Sequence, residues 1–108
     1  MHLLQKIKVW LNPQSVKPVA ILGVDYREYK YAETLEAQGQ YRVLFFIGEN
    51  PWNYRNKMGN GVIRSLSDLE VLCQKHNIRE VFYFDDNWIA KAEPFNLPLV
   101  AACDTPQG

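Results

Sequence analysis

Val19-Ala20-Ile21-Leu22-Gly23-Val24-Asp25-Tyr26-Arg27-Glu28 is the stretch on which the architecture turns. An apolar run ends on a glycine and feeds a polar, helix-forming segment. That order is the opening strand–turn–helix unit of a parallel sheet. Where such a turn closes around a pyrophosphate, two more glycines follow, one for backbone approach and one for helix–strand packing. Here those two positions are Asp25 and Glu28. The stretch therefore defines a scaffold and argues against tight dinucleotide binding.

Working outward, Val19 to Val24 reads as a first strand, apolar on both faces as buried parallel strands are. Arg27 to Gln38 reads as a helix stopped by Gly39. Tyr41 to Ile47 is a second apolar strand, followed by a long polar and aromatic loop from Gly48 to Gly61. Val62-Ile63-Arg64 forms a third strand. Ser65 or Ser67 caps the next helix, and Ser67-Asp68-Leu69-Glu70 matches a capping box. Leu66, Leu69, Leu72 and Cys73 supply that helix's buried stripe, and His76-Asn77 ends it. Arg79 to Phe84 is a fourth strand and Trp88 to Ala92 a short helix. Leu97 to Ala102 makes a fifth strand that Pro98 confines to an edge.

This alternation implies an α/β, Rossmann-like, three-layer open parallel sheet of 4–5 strands in the order 3-2-1-4-5, with helices on both faces. Before it, residues 1–12 form a short amphipathic N-terminal helix, with Leu3, Leu4, Ile7, Trp10 and Leu11 on one side. Residues 13–18, bracketed by Pro13 and Pro18, read as a linker, and residues 19–108 as the Rossmann-like domain.

The chain has 108 residues, enough for one domain, and 47% of them are hydrophobic. Twelve Lys and Arg balance twelve Asp and Glu, so the clustered positive charge that nucleic-acid binding rests on is missing. No apolar run reaches the roughly 20 residues of a membrane span. The two cysteines, Cys73 and Cys103, leave a bridge open on spacing alone but do not make a disulfide scaffold, so a reducing cytoplasm is the expected setting.

With the elements in place, the chain resembles the nucleotide-binding domain that precedes the catalytic part of polysaccharide-biosynthesis nucleoside-diphosphate-sugar dehydratase/epimerase and sugar-transferase proteins. Four stretches carry the resemblance: Ile21-Leu22-Gly23-Val24-Asp25, Phe45-Phe46-Ile47-Gly48-Glu49-Asn50-Pro51, the run from Gly59 to Leu69, and Ile78-Arg79-Glu80-Val81. Three departures break the pattern. Asp25 and Glu28 replace the later glycines, Glu49 alone remains of an acidic pair, and Arg64 replaces a glycine. The resemblance implies a bacterial polysaccharide setting and a nucleotide or dinucleotide as ligand.

In an open parallel sheet, ligands bind at the carboxyl ends of the strands, beside the point where strand order reverses. The candidate site is accordingly Gly23, Val24, Asp25, Tyr26, Glu49, Ser65 and Asp85, with Gly23 lining the turn and Glu49 accepting from a ribose. Its rim is acidic: Asp25, Glu49, Asp85, Asp86 and Asp104 face Arg27 and Arg64. The alternative role for Asp25 and Glu28 is to complement the helix dipole in its first turn, worth about 0.3–1 kcal/mol.

Oxygen ligands from Asp25, Asp85 and Asp86 would suit Mg²⁺, but no acceptor aspartate follows strand three and no basic residue follows strand five. Solvated loop acids are the better reading, so no metal is expected. Cys73 and His76 share a helix face but are too few for zinc. No nucleophile elbow or phosphate-loop lysine occurs, and no catalytic residue is assigned. The remaining expectations are interactions. Trp52 and Tyr54 either form a contact surface or fold back on the core. The N-terminal helix, too short to stand alone, buries its apolar face on its own domain, on a second copy as a homodimer, or on a protein partner.

Overall fold

The computed structural model describes residues 16–102. Residues 1–15 and 103–108, and with them the N-terminal helix, most of the linker, Cys103 and Asp104, lie outside the described residues. The order is β1 (Lys17–Leu22), α1 (Tyr26–Ala37), β2 (Tyr41–Gly48), a 3₁₀ turn (Pro51–Asn53), β3 (Lys57–Met58), β4 (Gly61–Ser65), α2 (Leu66–His76), β5 (Val81–Tyr83), α3 (Asn87–Ala92) and β6 (Leu99–Ala101).

One six-stranded sheet runs β3-β4-β2-β1-β5-β6. All pairings are parallel except that of β3 with β4. Without β3 the order is the expected 3-2-1-4-5, so the fold is an α/β Rossmann-like domain. The sixth strand was hidden in the polar loop. It spans two residues and turns back through a two-residue connection that begins with Gly59 at φ +58°. A second boundary moves as well: Lys17 and Pro18, read as linker, already pair with Tyr41 and Arg42. Pro18 is tolerated near the start of the strand because little of the ladder precedes it.

The two faces of the sheet pack differently. Val19, Ile21, Val43, Phe46, Ile63 and Phe82 lie beneath Ala32 and Leu35 of α1. Ala20, Leu22, Phe45, Ile47 and Val81 lie against Leu69, Leu72 and Cys73 of α2 and Trp88 of α3. Strict alternation would send Val43 and Phe45 to the same face. They face opposite ways because the β1–β2 register shifts between Val19 and Ala20, so that Val19 opposes Val43 and Ala20 opposes Phe45. The extra residue is Leu44, a one-residue bulge. Beside it, the Val43 N–H donates to Glu36 Oε2 at 2.9 Å, and Glu36 Oε1 accepts from Asn60 Nδ2 at 3.0 Å.

Helix ends follow local chemistry, with one correction. α2 starts at Leu66, directly after β4, so Ser65 is the N-cap and Ser67 lies inside the first turn. The capping box expected at Ser67–Glu70 is therefore not the helix start, and Ser65 Oγ instead meets Ser67 Oγ at 3.1 Å. A capping box occurs at α1, between Asp25 and Glu28. Asn77 closes α2 in the left-handed conformation, φ +57°.

Candidate functional site

β1 ends at Leu22, and the chain then passes through Gly23 at φ +117°, a conformation that L side chains rarely adopt. The Gly23 N–H donates to the Ile47 carbonyl at 2.8 Å, which ties the turn to the end of β2. Gly48 sits just below Val24, since a Cβ there would stand 3.1 Å from Val24 Cγ1. Two glycines thus draw the first two strand ends together. β5 delivers Phe84 and Asp85 on the other side, next to β1, where the strand order reverses.

Between these ends lies a cleft of about 450 Å³. Gly23, Val24, Asp25, Glu49 and Asp85 line it, as expected from the sequence. Tyr26 and Ser65 do not. Tyr26 is the first helical residue and turns outward, 73% exposed, while Ser65 is occupied as the cap of α2, one strand too far along the sheet. Arg64 is also absent from the lining: it pairs with Asp68 at 3.3 Å, four residues on.

Sequence reasoning missed Trp88 and Lys91 as walls of the cleft, and it placed Glu28 at the turn without its burial. Lys91 follows Trp88 by three, a spacing that places both on one helix face, and its Nζ stands 5.1 Å from the indole centroid. The same ammonium bridges to both Glu49 oxygens, at 3.0 and 2.9 Å. The acid expected to greet a ribose is thus engaged by a lysine from α3.

Glu28 is the buried charge of the site, only 2% exposed. Its Oε1 accepts the Asp25 N–H at 2.9 Å. Its Oε2 accepts from the Arg27 guanidinium at 3.1 and 3.3 Å. Arg27 also reaches Asp85 Oδ2 at 2.9 Å and lies over the Phe84 ring, 4.5 Å from its centroid. Burial pulls this guanidinium's pKa down, and its hydrogen bonds to Glu28 and Asp85 more than offset that, so the net shift is upward. The acidic rim is therefore cross-braced rather than bare: Glu28–Arg27–Asp85 on one side and Glu49–Lys91 on the other. With Asp85 held by Arg27, the Mg²⁺ reading gains no support, and no group of three or more metal-type side chains gathers among the described residues.

The other singled-out residues fall elsewhere. Cys73 is a buried free thiol on α2, pushed up to about 11 by burial and by nearby Glu70. His76 packs its ring edge against Phe45 at 5.3 Å. The loop aromatics divide: Tyr54 folds back on the core, whereas Trp52 is 90% exposed at the 3₁₀ turn, whose start is capped by Asn50 Oδ1. No helix among the described residues is long and apolar enough to cross a membrane.

No protein-family model matches the chain, and no curated protein matches it significantly. Solved structures do. UDP-D-quinovosamine 4-dehydrogenase from Vibrio fischeri superposes with a TM-score of 0.70 at 19% identity, covering 81% of this chain and 78% of that one. RSP, a Rex-family repressor, superposes in its complex with β-NADH with a TM-score of 0.64 at 14% identity, covering 94% of this chain. RSP bound to β-NAD⁺ and operator DNA gives 0.61 at 11% identity. This chain spans 61% and 56% of the repressor in those two structures. At such identities the likeness shows the fold, a Rossmann-like domain.

Proposed function

We propose that this protein is a non-catalytic Rossmann-like domain that binds a nucleotide-type ligand weakly in the cleft between β1, β2 and β5. The observation that carries the reading is the position of that cleft at the carboxyl ends of the strands, at the reversal of strand order, where ligands of open α/β sheets bind. Structural neighbours that bind NAD⁺ and NADH, or bear the name of a UDP-sugar enzyme, support the same ligand class. Glu49 and Asp85 are the acceptors for sugar hydroxyls, and polysaccharide biosynthesis in a bacterial cytoplasm is the setting that the sequence resemblance favours. The weakness follows from the turn, where side chains stand at both later glycine positions.

A thermal-shift series with adenosine, uridine, NADH, a UDP-sugar and coenzyme A tests the reading. A bound ligand raises the melting temperature by mass action, and no response to any of them at millimolar concentration overturns it.

One observation favours a second reading, an interaction module. Trp52 is 90% exposed on a capped turn, and tryptophan is a residue type that anchors protein contacts. In that reading the Gly48–Gly61 loop and the N-terminal helix carry a homodimer or partner contact. Sedimentation of the full chain beside Trp52→Ala and Leu4→Asp variants separates the two: an unchanged monomer in all three removes self-association.

A further inference from the structure

We infer that the Glu28 carboxylate is the cleft's own built-in anion, standing in for a phosphate, and that the ligand class is an uncharged nucleoside rather than a nucleoside diphosphate. This rests on the reading of the cleft as a nucleotide-type site and names what that site selects.

The phosphate position of such a turn is defined by free backbone N–H groups at the start of the first helix and by bare glycine beneath them. Both are taken here from within the chain. The Asp25 N–H, which a phosphate oxygen would need, already donates to Glu28 Oε1 at 2.9 Å. The bare surface of Gly23 is covered by the same side chain: a Cβ on Gly23 would stand 2.7 Å from Glu28 Cδ and 2.9 Å from Oε2. The nearest guanidinium is already drawn away from a phosphate, because Arg27 commits its Nε and Nη2 to Glu28 and Asp85. A diphosphate entering the cleft would displace a buried carboxylate or lie beside Asp25, Glu28 and Asp85. The repulsion is strongest from Glu28, which is only 2% exposed, while Asp25 and Asp85 add a weaker, water-screened share.

An uncharged nucleoside meets none of this. Its sugar hydroxyls donate, and the carboxylates of Glu49 and Asp85 can accept beyond the bonds they already make, since each carboxylate offers about four lone-pair sites. The cleft therefore favours donors over anions, since the ammonium that lines it, Lys91, is already bridged to Glu49.

Calorimetric titration of the full chain with adenosine against ADP, and with uridine against UDP, tests this in the wild type, in Glu28→Gln and in Asp25→Gly/Glu28→Gly. Glu28→Gln keeps the shape of the side chain and removes its charge; the double variant restores the three-glycine spacing. Far-UV circular dichroism confirms that each is folded. In the wild type the nucleoside binds at least about tenfold tighter than its diphosphate, and in both variants the preference for the nucleoside falls by about tenfold or more. A wild type that binds the diphosphate tighter than the nucleoside, with Glu28→Gln unchanged, overturns the inference and leaves the nucleotide-type site standing. Silence of all three folded proteins toward all four probes overturns the site itself.

Discussion

The carboxyl carbon of Glu28 stands 2.7 Å from where a side chain on Gly23 would begin, so the acid and the glycine occupy complementary halves of one space. Gly23→Ala then meets two penalties, a φ of +117° and a buried clash. We expect it to cost about 2–4 kcal/mol in urea unfolding. Adding Glu28→Gly removes the clash but not the backbone strain, so the double variant recovers part of the loss. Strictly additive effects in that cycle would show that the two residues do not share the space.

At the Leu44 bulge, Glu36 holds the Val43 N–H and the Asn60 amide with its two oxygens. Glu36→Ala leaves both donors without it and should cost about 1–3 kcal/mol. Glu36→Gln retains one acceptor and should cost roughly half as much. Equal losses in the two variants would mean that the side chain matters by packing alone.

The Glu49–Lys91 bridge joins two exposed side chains, and such pairs contribute about 0.2–1 kcal/mol. A double-mutant cycle with Glu49→Gln and Lys91→Ala should give a coupling below about 1 kcal/mol that fades in about 1 M salt. A coupling that survives high salt would show that the pair is desolvated in solution.

Cys73 gives a prediction in pH. Burial lifts its thiol from 9.0 to about 11, so between those values the unfolded chain has lost a proton that the native protein keeps. The contribution is fully present below pH 9 and is lost as pH rises toward 11, by about 1–3 kcal/mol in all. Unfolding measured from pH 8 to 11 should fall more steeply for the wild type than for Cys73→Ala. In a Cys103→Ser background the folded protein should react slowly with a disulfide reagent at pH 8. Fast labelling would contradict the burial.

Much of the architecture was legible because apolar runs, prolines and glycine stops act locally. Val19 to Val24 reads as a strand buried on both faces, and Val19 to Leu22 of it is one, the chain leaving the sheet at Gly23; Pro98 precedes an edge strand, and Asn77 closes its helix. The two-residue β3 was not legible, since Lys57-Met58 carries no periodicity, although Gly59-Asn60-Gly61 beside it signals a tight turn. The cleft was half legible. A topological rule places Gly23, Asp25, Glu49 and Asp85 together, but pairing across 42 residues brings Lys91 to Glu49, and no local pattern encodes that. Glu28 was read, correctly, as a first-turn acid. Its burial ran against the rule that glutamate stays in water, and only the missing Cβ of Gly23 makes room for it.

The edges of the sheet carry a consequence of their own. One edge is the two-residue β3 and the other is the three-residue β6, introduced by Pro98. Strand addition needs a run of unpaired backbone groups long enough to template another chain, and neither described edge offers one. Among the described residues, both sides of the sheet are thus poor templates for the sheet-to-sheet growth that leads to fibres.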